Sequence, residues 1–169
     1  ALLISDIIVV TSQKVKNELL DLNWSITAPV VVIPLGAYKS EVSLNKNVII
    51  SKVKKFIAVS TIEPRKGYAI SLDAADMAWR DGADFIYIIV GRYGWSQTKL
   101  RERILSHDLY GEKLIWLEDI DDTELAELYE MSKYLIFSSI DEGFGLPPLE
   151  AMSRGVPVVA DEIEALMRG

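Results

Sequence analysis

One stretch of the sequence predicts more of the fold than any other: Asp141-Glu142-Gly143-Phe144-Gly145-Leu146-Pro147-Pro148-Leu149-Glu150-Ala151-Met152. It follows the apolar run Tyr134–Phe137, which is typical of a buried strand. The two glycines permit a backbone path that side chains would forbid, and they let a ligand approach the main chain. The two prolines suit the first turn of a helix. The stretch therefore predicts a strand, a turn and a helix N-terminus whose free amides favour an anion.

Two glutamates bracket this turn, and we predict that both face one cleft. Glu142 lies in the turn itself and Glu150 lies within the first two turns of the helix. A carboxylate accepts both hydrogens of a sugar diol, whereas amides and basic residues hold phosphate, so the arrangement would fit a nucleotide sugar. The structural alternative is that Glu150 only favours the helix N-terminus electrostatically and that Glu142 is solvated.

Outward from this stretch, apolar runs alternate with helical patterns. The predicted strands are Phe56–Ser60, Phe85–Val90, Leu114–Leu117, Tyr134–Phe137 and Val156–Ala160. The predicted helices are Lys66–Arg80, Gln97–Ser106, Thr123–Met131 and Pro148–Arg154, with a partial helix after Asp161. This alternation indicates an α/β fold, a parallel sheet with helices on both faces. Such sheets bind ligands at the carboxyl ends of their strands, where Thr61–Gly67, Gly91–Trp95, Glu118–Asp122 and Ser138–Glu150 fall.

A shorter α/β pattern precedes this one. We predict strands at Ile7–Val10 and Val30–Ile33, with a helix over Gln13–Leu20 between them. Thr11 or Ser12 is the predicted N-cap, and the apolar side of the helix is predicted to consist of Val15, Leu19 and Leu20. Residues 37–54 are polar and look like a connection.

The composition limits the classes of partner. A net charge of −7 over 169 residues argues against a nucleic-acid surface and against broad attraction to anionic lipid. The absence of cysteine excludes disulfides and thiolate metal sites and is compatible with a reducing compartment. Ala1–Val10 is short and contains Asp6, so we expect neither a signal peptide nor a membrane span there. Because the chain opens almost directly into a strand, we expect it to be a piece of a longer protein.

Arg65 and Lys66 are the candidate anion ligands. Arg65 offers a planar fork and Lys66 a point charge, which together suit a diphosphate. The alternative is a solvated helix start. Two cations at the positive end of a helix are locally unfavourable, and such conflicts are typical of functional sites, so the pattern favours the anion site.

Three other patterns have structural explanations. The glycines of Gly91–Trp95 are explained about equally by a tight strand-to-helix turn and by ligand contact. Asp119-Ile120-Asp121 resembles a metal-binding D-x-D, but Asp121 or Asp122 fits a helix N-cap, so we predict no metal. His107, the only histidine, is expected to contact a helix C-terminus rather than to act in catalysis.

The stretch Glu142–Met152, written E-G-F-G-L-P-P-L-E-A-M, resembles the E-x7-E signature of retaining glycosyltransferases of family 4. These enzymes have the two-domain GT-B fold, in which each domain is Rossmann-like. Ile62–Gly67 and Gly155–Val159 are similar to strings at matching places in that family. The resemblance covers nearly the whole chain from about Ile4 and implies transfer of a sugar from a nucleoside diphosphate sugar, without a metal or other cofactor.

The resemblance also implies roles for individual residues. It predicts catalytic roles for Glu142, Lys66 and Arg65, with Lys66 at the leaving diphosphate and Glu142 at the hydroxyls of the transferred sugar. It predicts donor contacts by Glu150 on the ribose and by Gly143, Phe144, Gly145, Leu146, Thr61 and Gly91. Many relatives carry an arginine where this chain has Ser60-Thr61, so Arg65 either replaces that arginine or Lys66 acts without it.

The family also implies a division of the chain and its partners. Residues 1–36 would end the acceptor-side domain, residues 37–50 would connect the domains, and residues 51–169 would bind the nucleotide sugar. The acceptor (a sugar, lipid or glycan), the sugar and the base stay open. We expect a cytoplasmic protein, with room for peripheral contact with the inner membrane face through the other domain. The alternatives are a non-catalytic nucleotide-binding or interaction module, and a flavodoxin-like signalling domain.

Overall fold

The computed structural model describes residues 5–22, 24–36 and 53–160. Its strands are β1 (Ile8–Val10), β2 (Val30–Val32), β3 (Lys54–Val59), β4 (Phe85–Val90), β5 (Leu114–Leu117), β6 (Tyr134–Phe137) and β7 (Val158–Ala160). Its α-helices are α1 (Gln13–Asp21), α2 (Tyr68–Arg80), α3 (Thr98–Leu105), α4 (Asp122–Met131) and α5 (Leu146–Ser153), and a 3-10 turn covers Pro64–Lys66. Within these ranges, no helix is both long and apolar enough to span a membrane.

In the described part of the chain, five strands form one sheet in the order β5-β4-β3-β6-β7. All neighbouring strands are parallel, and Ile57 of β3 lies opposite both Ile88 of β4 and Leu135 of β6. From β3 the chain steps outward through β4 to β5, then returns over the sheet to place β6 on the other side of β3. The strands β1 and β2 form a separate parallel pair. The predicted Rossmann-like α/β sheet is confirmed.

Helices cover both faces of this sheet, because neighbouring residues of each strand point to opposite sides. In β4, Tyr87 and Ile89 pack in a cluster with residues of α2 and α3. Ile88 and Val90 pack on the opposite face in a cluster with residues of α4 and α5. The strands β4 and β6 are therefore apolar throughout, which is why their runs could be predicted from sequence.

Several predicted details differ in the structure. The helix α2 begins at Tyr68 rather than Lys66, because Gly67 adopts the left-handed region (φ +64°) and separates it from the 3-10 turn. The helix α5 begins at Leu146, and Pro147 and Pro148 lie in its first turn as predicted. The prediction for Leu20 was wrong, since its side chain is 49% exposed.

Two helix caps were predicted correctly. Ser12 caps α1 by accepting a hydrogen bond from the amide of Val15. Asp121 caps α4, and the side chain of Glu124 accepts a hydrogen bond from the Asp121 amide in return. The predicted connection over residues 37–50, the boundary near Ser51 and the partial helix after Asp161 lie outside the described residues.

Candidate functional site

The loops that follow β3 and β6 contact each other at the carboxyl edge of the sheet. The Ile140 amide donates to the Arg65 carbonyl at 2.7 Å, and the Ser138 hydroxyl donates to the Lys66 carbonyl at 2.9 Å. A Cβ at Gly67 would stand 2.0 Å from the Ser138 carbonyl oxygen, so only glycine allows this approach. The contact brings Arg65 and Lys66 into one site with Glu142, which lies 76 positions after Lys66.

Glu142 is the centre of this site and is buried, with 7% of its surface exposed. Its Oε1 accepts hydrogen bonds from the Lys66 ammonium and from the Ser139 hydroxyl, the latter at 2.8 Å. Its Oε2 lies 3.3 Å from Nη1 of Arg65. The alternative that Glu142 is a solvated turn residue is therefore wrong.

The surroundings keep Glu142 ionised. Burial alone would raise the pKa of the Glu142 carboxyl, but the hydrogen bonds from Lys66 and Ser139 and the charges of Lys66 and Arg65 outweigh it. The pKa of Glu142 consequently lies below its ordinary value of 4.5. The site therefore combines two kinds of ligand. The carboxylate can accept hydrogen bonds from hydroxyl groups, and the two cations can bind an anion.

Arg65 connects Glu142 to Glu63 at the exposed edge of the site. Its Nη2 lies 2.7 Å from Oε1 of Glu63, and its Nη1 donates to the Asp141 carbonyl at 3.2 Å. The other oxygen of Glu63 accepts a hydrogen bond of 3.1 Å from the indole of Trp95, whose ring is largely exposed. The Arg65 side chain is half exposed, and both terminal nitrogens of its guanidinium contact oxygens of Glu63, Asp141 and Glu142.

Glu150 has a separate partner on the neighbouring helix. The hydroxyl of Tyr129 donates to Oε2 of Glu150 at 3.1 Å. Burial, followed by the negative charge of Glu150 and the hydrogen bond to it, raises the pKa of Tyr129, so the phenol stays protonated and donates. Tyr129 therefore fixes one oxygen of Glu150.

The two glycines of the turn between Glu142 and α5, Gly143 and Gly145, have different surroundings. Gly145 is the N-cap of α5 and has φ +83°, which favours glycine as predicted. A Cβ at Gly143 would stand 3.3 Å from Cγ2 of Val15, so a side chain there would crowd α1 slightly. Phe144 is half buried and Leu146 is the first residue of α5, where the free helix amides begin.

The loop after β4 packs on the loop after β3. A Cβ at Gly91 would stand 2.1 Å from the Ser60 carbonyl oxygen, and φ at Gly91 is +142°. The Gly94 amide donates to the Ile62 carbonyl at 3.0 Å, while the side chain of Thr61 beside it is exposed. Close packing therefore accounts for the glycines of this loop, and ligand contact by Gly91 or Thr61 stays a prediction.

The acidic loop after β5 and the histidine have structural partners. Asp121 caps α4, and Asp119 pairs with Arg92 at 2.7 Å on the surface. Among the described residues, no three acidic or histidine side chains lie close enough to hold a metal ion. His107 lies at the C-terminus of α3, as predicted, and its amide donates to the Ile104 carbonyl at 3.3 Å. Its imidazole has further partners: Nε2 lies 2.7 Å from Oδ1 of Asp76, and Nδ1 accepts from the Leu109 amide.

The sequence did not reveal four residues that contact this site: Lys14, Glu63, Tyr129 and Ser139. Ser139 lies two residues after the predicted strand and three residues before Glu142, which is the one local signal available. Lys14 lies 128 positions from Glu142, so no spacing could indicate their contact.

Solved structures show which fold this chain shares. The structure superposes with a TM-score of 0.77 on HepE of Anabaena, with 22% identity, over 96% of this chain and 46% of that chain. The chain therefore has the Rossmann-like fold found in GT-B glycosyltransferases.

The family follows from the sequence comparison. The model of the family "Glycosyl transferases group 1" matches residues 39–167, and the chain belongs to that family. It is 47% identical over 108 residues to the serotype-specific mannosyltransferase WbdA of Escherichia coli, covering 64% of this chain and 13% of WbdA. It is 34% identical over 124 residues to the O-antigen chain mannosyltransferase RfbU of Salmonella typhimurium, covering 72% of this chain and 34% of RfbU.

Proposed function

We propose that this chain forms the donor side of a retaining glycosyltransferase of family 4, which moves a sugar from a nucleoside diphosphate sugar to an acceptor. The observation that carries the proposal is the buried Glu142 carboxylate in contact with both Lys66 and Arg65 at the carboxyl edge of the sheet. The bond to be broken joins a sugar to a diphosphate. The carboxylate suits the hydroxyls of the sugar, and the two cations suit the diphosphate.

The residues would divide the work as follows. Lys66 and Arg65 stabilise the negative charge that develops on the leaving diphosphate, helped by the free amides of α5 near Leu146. Glu142 accepts hydrogen bonds from the hydroxyls of the transferred sugar and orients it. Glu150, with one oxygen held by Tyr129, has its other oxygen for the ribose diol. No step in this scheme uses a metal ion.

The relatives suggest which donors to test first. WbdA and RfbU are both named mannosyltransferases, which favours a mannosyl donor. HepE, which shares the fold, was solved with UDP-glucose. We therefore propose a nucleotide-linked hexose, with mannose first.

The division of the chain belongs to the same proposal. Residues 1–36 would end the acceptor-side domain, residues 37–50 would connect it, and residues 51–169 would bind the donor. The acceptor would bind to a domain outside this chain, which spans only 13% of WbdA and 34% of RfbU. We also propose that catalysis occurs on the cytoplasmic side. If the acceptor is a lipid, it would occur at the membrane surface.

The test is calorimetric titration of this chain with nucleoside diphosphates and their hexose derivatives. Glu150→Ala and Lys66→Ala should each weaken binding by about 1–3 kcal/mol, because each loses a charged hydrogen bond. Glu130→Ala and Lys113→Ala are matched controls: Glu130 is exposed on α4, and Lys113 pairs with Asp84 at the strand starts. If no ligand binds, or if the controls weaken binding equally, the donor-site proposal fails.

A further inference from the structure

Helix α1, in the N-terminal part of the chain, reaches the turn that carries Glu142. The ammonium of Lys14 donates to the main-chain carbonyl of Glu142 at 3.1 Å and forms an ion pair with the carboxylate of Asp141. It also lies 3.5 Å from Glu18, one helical turn further along α1. The Lys14 side chain is mostly buried by these contacts, with 18% exposed.

A second contact supports the same placement. Cγ2 of Val15 lies 3.3 Å from the point where a Cβ of Gly143 would stand, so α1 lies directly against the turn. The start of α1 is itself fixed, because the Val15 amide donates to the hydroxyl of Ser12. A side chain at Gly143 would therefore crowd Val15 slightly.

The opposite side of the turn is held from the large sheet. Arg65 donates to the Asp141 carbonyl at 3.2 Å and contacts the Glu142 carboxylate, which Lys66 also contacts. Lys14 instead touches the main chain of Glu142 and the side chain of Asp141. Cations from two separate parts of the chain therefore hold the Asp141–Gly143 turn, Arg65 through the Asp141 carbonyl and Lys14 through the Glu142 carbonyl.

We propose that Lys14 is a positioning residue that fixes the Asp141–Gly143 turn from α1 and thereby orients the Glu142 carboxylate toward the sugar of the donor. This inference rests on the donor site proposed above. Lys14 touches neither the Glu142 carboxylate nor the proposed diphosphate ligands. Its loss should therefore weaken recognition of the sugar and leave recognition of the nucleoside diphosphate intact.

The first test compares two affinities for each variant of the chain: that for a nucleoside diphosphate and that for its hexose derivative. In Lys14→Ala the ratio of the affinity for the hexose derivative to the affinity for the nucleoside diphosphate should fall about tenfold, which is the effect of one charged hydrogen bond. The affinity for the nucleoside diphosphate itself should not change. Lys14→Arg should restore part of the advantage. Lys16→Ala is the matched control, since residues two apart on a helix do not face each other.

An equal loss of both affinities in Lys14→Ala would mean a general structural role and would overturn the inference. If Lys66→Ala weakens both ligands while Lys14→Ala changes neither, the donor site stands and the positioning role fails. If the unmodified chain binds neither ligand, the proposed function itself fails.

The second test needs no ligand. The backbone amide resonances of Gly143 and Gly145 should shift in Lys14→Ala and in Asp141→Asn, because both changes remove the ion pair that holds the turn. They should stay in place in Lys16→Ala. Unshifted glycine resonances in Lys14→Ala would overturn the inference even if donor binding is found.

Discussion

Glu142 and Lys66, which we propose as donor ligands, also contact each other. The Lys66 ammonium and the Arg65 guanidinium both approach the Glu142 carboxylate. A diphosphate that uses these cations must compete with that carboxylate, because the same donors serve both anions. Binding of the diphosphate would then free Glu142 for the sugar hydroxyls.

We predict that Glu142→Gln binds a nucleoside diphosphate several-fold more tightly than the unmodified chain, because the competing negative charge is gone. The same variant should lose the additional affinity for the hexose derivative. Calorimetric titration at neutral pH measures both. Glu130→Gln makes the same change of charge on the exposed face of α4, so an equal gain there would show a general effect of net charge and contradict the prediction.

The residues of the site differ in how far the sequence could predict them. Glu142, Lys66 and Arg65 stand in strings whose glycines, prolines and charges fix a local shape. The structure alone shows the contacts of Ser139, Glu63 and Lys14, because the packing of separate segments decides their partners. His107 shows the same limit: its contact with Asp76 joins α2 to the turn after α3.

At the scale of elements, contacts between loops organise the carboxyl edge of the sheet. Gly67 and Gly91 each bring a loop onto a main-chain carbonyl of another segment, Ser138 and Ser60 respectively. The strands β4, β5 and β6 were predicted to the residue because each is a continuous apolar run. The start of β3 was missed, because Lys54 and Lys55 are polar yet pair with Phe85 and Ile86.

We predict that Gly67→Ala destabilises the protein far more than Gly82→Ala. Both glycines have positive φ, +64° and +87°, but a Cβ at Gly82 meets nothing within 4 Å whereas a Cβ at Gly67 meets the Ser138 carbonyl at 2.0 Å. Gly82→Ala should cost about 1–2 kcal/mol from the backbone conformation alone. Gly67→Ala should cost roughly 2 kcal/mol more, or prevent folding.

Chemical denaturation of both variants measures this difference. Equal losses of unfolding free energy would mean that the contact between the loops at Gly67 and Ser138 is not as close as described. A soluble Gly67→Ala protein with an unchanged denaturation midpoint would contradict the prediction outright.

At the scale of the whole molecule, the proposed division of labour lies between the large sheet and a domain outside this chain. The segments that follow β3 and β6 at the carboxyl edge of the sheet supply Lys66, Arg65, Glu142 and Glu150, which are the groups proposed for the donor. The pair β1–β2 and helix α1 reach the same site through Lys14. The relatives WbdA and RfbU are much longer than this chain, which matches 13% and 34% of their lengths.

We predict that the 169-residue chain binds a nucleotide hexose but transfers no sugar. Transfer needs an acceptor held beside the donor, and the groups proposed here all serve the donor. Incubation with a labelled nucleotide hexose and a panel of acceptors measures transfer, with a longer protein that includes the acceptor-side domain as the positive control. Turnover by the 169-residue chain alone would contradict the prediction.

The close approach of Gly67 to Ser138 also limits how this site can diversify. An insertion in the loop after β3 would displace the carbonyl contact on which the loop after β6 rests, so the lengths of these loops are coupled. Exchange of whole loops between related enzymes should disrupt the site. If Thr61 and Phe144 contact the donor as predicted, replacement of such individual side chains should alter donor preference while the scaffold is retained.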